Sequence, residues 1–168
     1  IWSDIVCPFC YVGKRNLEQA LAEFEHRDEV EVVWHSFELD PSATEHPAGS
    51  LPEMIAGKYQ MSLEQAIASQ ESLAERAREV GLDFNWRQAR YGNTFDAHRV
   101  IHYAAEQGLA SAAQEAFKLA YFTQGRSVQD HESILDIASE IGLDTAEVEA
   151  VLKSDRYAVQ VRADEQLA

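Results

Sequence analysis

Ile1-Trp2-Ser3-Asp4-Ile5-Val6-Cys7-Pro8-Phe9-Cys10 is the stretch on which the fold turns. Residues 1–6 predict a short strand. From 8 to 26 a helix is expected, because Leu17, Ala20, Leu21 and Phe24 recur at i, i+3, i+4 and i+7. Pro8 falls at the first helical position, where its missing N–H leaves no hydrogen bond unmade. Cys7 then stands at the helix N-terminus. Free backbone N–H groups and the positive dipole end stabilise an anionic sulfur there, and a thiolate is the species that attacks a disulfide. Cys10 lies one turn on, within reach to resolve a mixed disulfide.

Cys7 and Cys10 are the only two cysteines in 168 residues, so the fold rests on its core and not on a disulfide framework. Three readings of the pair compete. A structural zinc site needs about four ligands. No second cysteine pair exists, and the donors on offer are His26, His35, His46, His98, His102 and His131. Of these, His98 and His102 share a predicted helix face. A second reading is two buried thiols acting as small apolar residues. The third is a redox pair, and the strand–Cys-x-x-Cys–helix context favours it.

Lys plus Arg total 14 against 29 Asp plus Glu, a formal net charge of −15. Such a chain repels phosphate backbones and anionic bilayers, so nucleic acid and membrane partners are set aside. No apolar run approaches the roughly 18 to 20 residues that span a bilayer. Hydrophobic residues at 46% place the chain among globular domains and not among disordered ones. The length fits one domain, or a small domain with an insertion.

Val30-Glu31-Val32-Val33-Trp34-His35-Ser36-Phe37 reads as a second strand, completing strand–helix–strand. Residues 40–52 form a loop broken by Pro41, Pro47, Gly49 and Pro52. The rest of the chain is helical: a short helix over 52–60, one capped by Ser62 with Gln65 at N3, and one opening at Asn93 or Thr94. Further helices span 110–123, begin after Asp130, and start at Asp144 or Thr145. A last helix begins at Ser154 or Asp155 and reaches Ala168. Two strands and about seven helices result, and a two-stranded sheet is marginal alone. The sequence is therefore expected to be part of a longer protein.

Ile1–Arg15, with its Cys7-Pro8-Phe9-Cys10, resembles the opening of the FrnE-like branch of the DsbA family of thiol–disulfide oxidoreductases. Trp34-His35-Ser36-Phe37-Glu38-Leu39-Asp40-Pro41, Asn93-Thr94-Phe95-Asp96-Ala97-His98-Arg99 and Ala120-Tyr121-Phe122-Thr123-Gln124-Gly125 resemble later motifs of that branch, in order. The resemblance implies an α/β, thioredoxin-like fold with a large all-helical insertion. Residues 1–40 and 155–168 would form the thioredoxin-like part and 41–154 the insertion. Cys7 would be the nucleophile and Cys10 the resolving thiol. The resemblance also implies C-terminal strands and a loop whose cis-proline faces the pair; Pro8, Pro41, Pro47 and Pro52 do not fit that place, so this segment is expected to be missing from the sequence.

The resemblance further implies a cytoplasmic enzyme acting on protein thiols and disulfides. No cofactor is expected to be bound, and glutathione or another small thiol is a candidate redox partner. Kappa-class glutathione transferases and hydroxychromene-carboxylate isomerases share this architecture, so a glutathione-dependent isomerase or transferase acting on a small aromatic is the alternative. A non-catalytic binding module is the third reading. Trp2, Pro8, Phe9 and Tyr11 are candidates for an apolar surface near the cysteines, against core packing, which is the favoured reading of Trp2; His98 is a candidate to line the groove between domains, against the commoner structural role of a helix histidine. Arg87, Arg90 and Arg99 are candidates for an anionic group, with exposed ion pairing to the many carboxylates as the favoured reading. Pro8-Phe9 supplies no cation beside the thiolate. A potential between about −120 mV and −270 mV, more reducing than DsbA, is expected from the absence of a histidine between the cysteines and from the net charge of −15, which disfavours an added anion.

Overall fold

The computed structural model describes residues 1–44 and 48–168; Pro47, a loop breaker by sequence, and His46, a candidate ligand, lie outside the described residues. β1 (Trp2–Ser3) and β2 (His35–Ser36) pair in parallel, Trp2 opposite His35 and Ser3 opposite Ser36. α1 (Pro8–Glu23) connects them, giving the expected strand–helix–strand unit. Both strands are shorter than predicted. After Ser3 the chain turns, with the Cys7 N–H donating to the Asp4 carbonyl at 3.4 Å. Residues 30–34 lie outside the strand: the Val30 N–H donates to the Arg27 carbonyl at 3.1 Å, and Val33 accepts from the Ile1 ammonium at 2.7 Å. α1 also stops short of residue 26, and a 3-10 turn (Arg27–Glu29) comes after it.

Four of the helices begin at the caps the sequence predicts, Ser62, Thr94, Asp130 and Asp144. α2 (Leu51–Tyr59) opens on a Ser50–Glu53 capping box and α3 (Leu63–Glu79) on the expected Ser62–Gln65 box. Next come α4 (Phe95–Glu106), α5 (Ala110–Phe122), α6 (His131–Glu140) and α7 (Thr145–Leu152). Asp144 caps α7, accepting the Ala146 N–H at 2.8 Å. α8 (Ala158–Gln166) starts later than Ser154 or Asp155 and stops short of Ala168. Its delay has a local cause. Tyr157 takes a left-handed conformation (φ 64°), and its hydroxyl donates to Glu106 at 2.7 Å. Eight α-helices stand among the described residues.

One cluster of buried side chains runs through the molecule. Val100, Ile101 and Ala104 of α4 meet Phe117 and Tyr121 of α5, Ile134 and Ile137 of α6, and Val148 and Val151 of α7. Ile5, Val6 and Tyr11 belong to the same cluster, so the cysteine-bearing segment is seated on the helices. α8 packs on β2 and α4 and closes the far side of the small sheet. Among the described residues no helix is long and apolar enough to cross a membrane.

Candidate active site

Cys7 is the N-cap of α1, in extended conformation (φ −86°, ψ 111°), with Pro8 behind it. Its sulfur accepts the Cys10 N–H at 3.3 Å, so the thiol takes the place that a capping oxygen usually holds. The first turn of α1 carries no acidic residue, so nothing there opposes negative charge. Both thiols are free, Cys7 buried and Cys10 half-buried. They titrate as a unit. The hydrogen bond from the Cys7 thiol draws Cys10 down to about 6. The same bond, aided by burial, holds Cys7 well above the ordinary thiol range. At neutral pH the pair thus carries one negative charge and one shared proton.

A cation does lie beneath the pair, supplied by α5. Lys118 is fully buried, and its Nζ donates to the Ser3 hydroxyl at 3.0 Å and the Asp4 carbonyl at 2.8 Å. Burial drives its pKa down to about 8, while the nearby cysteines and Asp4 work in the other direction. Pro8 and Phe9 supply no cation, and the one near the pair comes instead from this distant helix. Asp4 is 2% exposed; its carboxylate accepts the Leu39 N–H at 2.7 Å and meets His98 Nε2 at 3.3 Å. Burial opposes its ionisation, yet His98, Leu39 and Thr94 together hold its pKa below the ordinary value.

Cys7, Pro8 and Phe9 form one wall of a cavity of about 600 Å³. Leu51, Met54, Ile55 and Tyr59 of α2 face them, with Leu73 and Arg76 of α3 alongside. Tyr91, Tyr121 and Phe122 close the inner end. The lining is mostly apolar and aromatic, and two methionines, Met54 and Met61, give it an adaptable surface. Phe9 is 64% exposed, projecting at the mouth.

Of the expected groove residues, Pro8 and Phe9 line this cavity, and three others do not. Tyr11 is completely buried, its ring against Phe84 and Phe122 and its hydroxyl donating to Glu115 at 2.6 Å. The helical spacing from Cys7 turns it into the core. Trp2 stacks on His35 (ring centroids 4.7 Å apart) and donates to the Asp164 carbonyl, so it braces α8 against the strands. His98 is completely buried on Asp4 and acts behind the site. The zinc reading loses its donors in the same way, since His102 contacts Ser36 and Asp164, away from the cysteines. Arg99 is buried against the carbonyls of Val151, Ser154 and Arg156 and against Asp96. Arg87 pairs with Glu71. The arginine at the cavity is Arg76.

A strand–cysteine–helix unit that carries a helical insertion defines a class, and similarity to known proteins identifies it. The DSBA-like thioredoxin domain matches residues 1–168, and the chain belongs to that family. A probable DsbA oxidoreductase from Streptomyces coelicolor superposes with a TM-score of 0.95 at 47% identity, covering 100% of this chain and 73% of that one. An uncharacterized protein of Bacillus subtilis, YwbO, is 28% identical over 158 residues, 94% of this chain and 72% of its own. A 2-hydroxychromene-2-carboxylate isomerase shares the fold at 17% identity and a TM-score of 0.67, covering 96% of this chain and 76% of its own.

Proposed function

We propose that the protein is a FrnE-like thiol–disulfide oxidoreductase or isomerase acting on protein disulfides through Cys7 and Cys10. The observation that carries the reading is the placement of Cys7: an N-cap sulfur that receives the Cys10 N–H and forms part of an apolar cavity wall. The pair's single charge moves to Cys7 as its proton passes to Cys10. Cys7 Sγ attacks a substrate disulfide, forming a mixed disulfide and releasing one substrate thiolate, which takes up a proton. Cys10, losing its own proton, attacks Cys7 Sγ and releases the second substrate thiol. Two electrons leave the enzyme pair and reduce the substrate disulfide. The apolar lining suits a peptide segment unfolded enough to present bulky side chains next to its cysteine.

Insulin reduction and refolding of scrambled ribonuclease, with the wild type and Cys7→Ser, test this. Activity that disappears in Cys7→Ser is the expected result. Equal activity in both, or none in either, overturns it.

A second reading draws on the cavity itself. Its size falls within the range of small-molecule sites, and Phe9, Tyr59, Tyr91, Tyr121 and Phe122 offer aromatic faces. A glutathione-dependent isomerase or transferase acting on a small aromatic would use it. Cys10→Ser separates the two: an oxidoreductase accumulates a mixed disulfide on Cys7, whereas an isomerase retains turnover with glutathione.

A further inference from the structure

Lys118 is a fully buried ammonium group whose hydrogen-bond partners, the Ser3 hydroxyl and the Asp4 carbonyl, are both neutral. Among the described residues, no carboxylate lies within ion-pair distance of its Nζ. The Asp4 carboxylate, the nearest candidate, is turned toward His98 and Leu39. A buried charge without a counter-ion is strongly disfavoured. The Lys118 Nζ and the Cys7 N–H share one acceptor, the Asp4 carbonyl (2.8 and 3.4 Å), which sets the lysine beside the α1 N-terminus; the charges acting on it are those of Cys7, Cys10 and Lys14 of α1 and of Asp4 after β1. Lys14 is held by Glu18 and Glu115, so its charge is neutralised locally. The one anion facing Lys118 that redox chemistry can remove is the cysteine thiolate.

We infer that Lys118 is a positioning residue that supplies the counter-charge of the cysteine thiolate and gives up its proton when the pair is oxidised. The inference rests on the redox function proposed for Cys7 and Cys10 and deepens it. In the reduced protein a thiolate, a thiol and a protonated Lys118 coexist. Reaction with a substrate disulfide forms the Cys7–Cys10 bond and two substrate thiols. These need two protons, one from the remaining enzyme thiol and one from Lys118. Oxidation therefore leaves a neutral disulfide over a neutral amine, with no buried charge uncompensated. The geometry stabilises the reduced form selectively, so Lys118 makes the pair a stronger oxidant. The lowered pKa of this lysine agrees with a proton that can leave near neutral pH.

The decisive experiment is a pH titration of the lysine side-chain nitrogens by NMR, on the full protein with ¹⁵N-lysine, in the reduced and oxidised states. Only four lysines are present, so Lys118→Met assigns the resonance. The expected result is a Lys118 midpoint at least one pH unit lower in the oxidised protein. Identical midpoints overturn the inference. In Lys118→Met, thiolate absorbance near 240 nm should appear at higher pH than in the wild type. The glutathione equilibrium should move at least tenfold toward the disulfide. An unchanged thiolate midpoint or equilibrium in a folded variant also overturns it. If the variant does not fold, Cys7→Ser and Cys10→Ser supply the assignment, because both should shift the Lys118 resonance and no other lysine as strongly. Failure here is distinct from failure of the redox reading. Wild-type exchange with insulin and glutathione would persist while Lys118 ignored the redox state.

Discussion

The indole N–H of Trp2 donates to the main-chain carbonyl of Asp164 at 2.7 Å, across 162 positions of sequence. The Asp164 side chain completes the junction. Its carboxylate accepts the Ser36 N–H at 2.8 Å and meets His35 at 2.7 Å and His102 at 3.3 Å. One residue of α8 thus holds β1, β2 and α4. A two-residue strand pair has little stability of its own, and this junction supplies part of what it lacks.

Asp164→Ala should therefore cost more than an ordinary surface change. It leaves the buried Ser36 N–H without an acceptor and removes the hydrogen bond with His35 and the contact with His102. The expected loss is about 2 to 4 kcal/mol, given typical penalties for unmade buried bonds. Asp164→Asn keeps an acceptor for Ser36 and should cost less. Urea denaturation of both variants checks the order, and equal losses would contradict it.

A second junction joins α1 to α5. Lys14, buried on α1, donates to Glu115 at 2.6 Å, and Arg15 and Tyr11 reach the same carboxylate. Glu115→Ala would leave the buried Lys14 ammonium with Glu18 as its one remaining ion-pair partner. The loss should be about 2 to 3 kcal/mol, below the usual range for a broken buried pair because the Glu115 side chain keeps 29% of its exposure. Lys14→Met combined with Glu115→Leu should recover most of it. A double-mutant cycle on the unfolding free energy measures the coupling, and strictly additive losses would rule the pairing out.

Cys7 and Cys10 were legible in the sequence because their signal is local: spacing, the proline between them and the apolar period of α1 all lie within one segment. Most helix starts were legible for the same reason, since Ser62 and Asp144 cap the residues beside them. Lys118, Asp4 and the bracing role of Trp2 were not, because each depends on a contact made across the fold. One clue to Lys118 lay in α5, where Glu115 and Lys118 are the only charges in 13 residues. A helix so poor in charge is buried on several faces, and its charged side chains need internal partners. The strands were over-read from β-propensity, which does not say whether a partner strand is present.

Phe9 separates binding from stability. It is 64% exposed at the mouth of the Cys7 cavity. Truncating an exposed ring should change folding stability by less than about 0.5 kcal/mol. Removal of an apolar contact surface should weaken substrate capture, by about tenfold for 1 to 2 kcal/mol of lost burial. Phe9→Ala is expected to raise KM for a peptide disulfide while leaving kcat nearly unchanged. A fall in kcat with constant KM would place the ring in the reacting geometry instead.

The cysteine pair also links stability to pH. Cys10 falls from an ordinary thiol value of 9.0 to about 6 in the folded, reduced protein. Between these values the unfolded chain binds more protons than the folded one, so stability rises with pH. The Cys10 contribution is fully present above the unfolded value and is lost as pH falls through about 6, while Cys7, whose pKa is raised, works in the opposite direction above the unfolded value. Its slope cannot exceed about 1.4 kcal/mol per pH unit. The depressed pKa of His102, which comes from burial, also acts near neutrality but is present in both redox forms. The comparison to make is therefore reduced against oxidised protein by urea unfolding from pH 6 to 8, in the Lys118→Met background, where no lysine proton released on oxidation can cancel the effect. The reduced form should gain stability relative to the disulfide form across that window. Parallel curves would mean that no thiolate is stabilised at the N-terminus of α1.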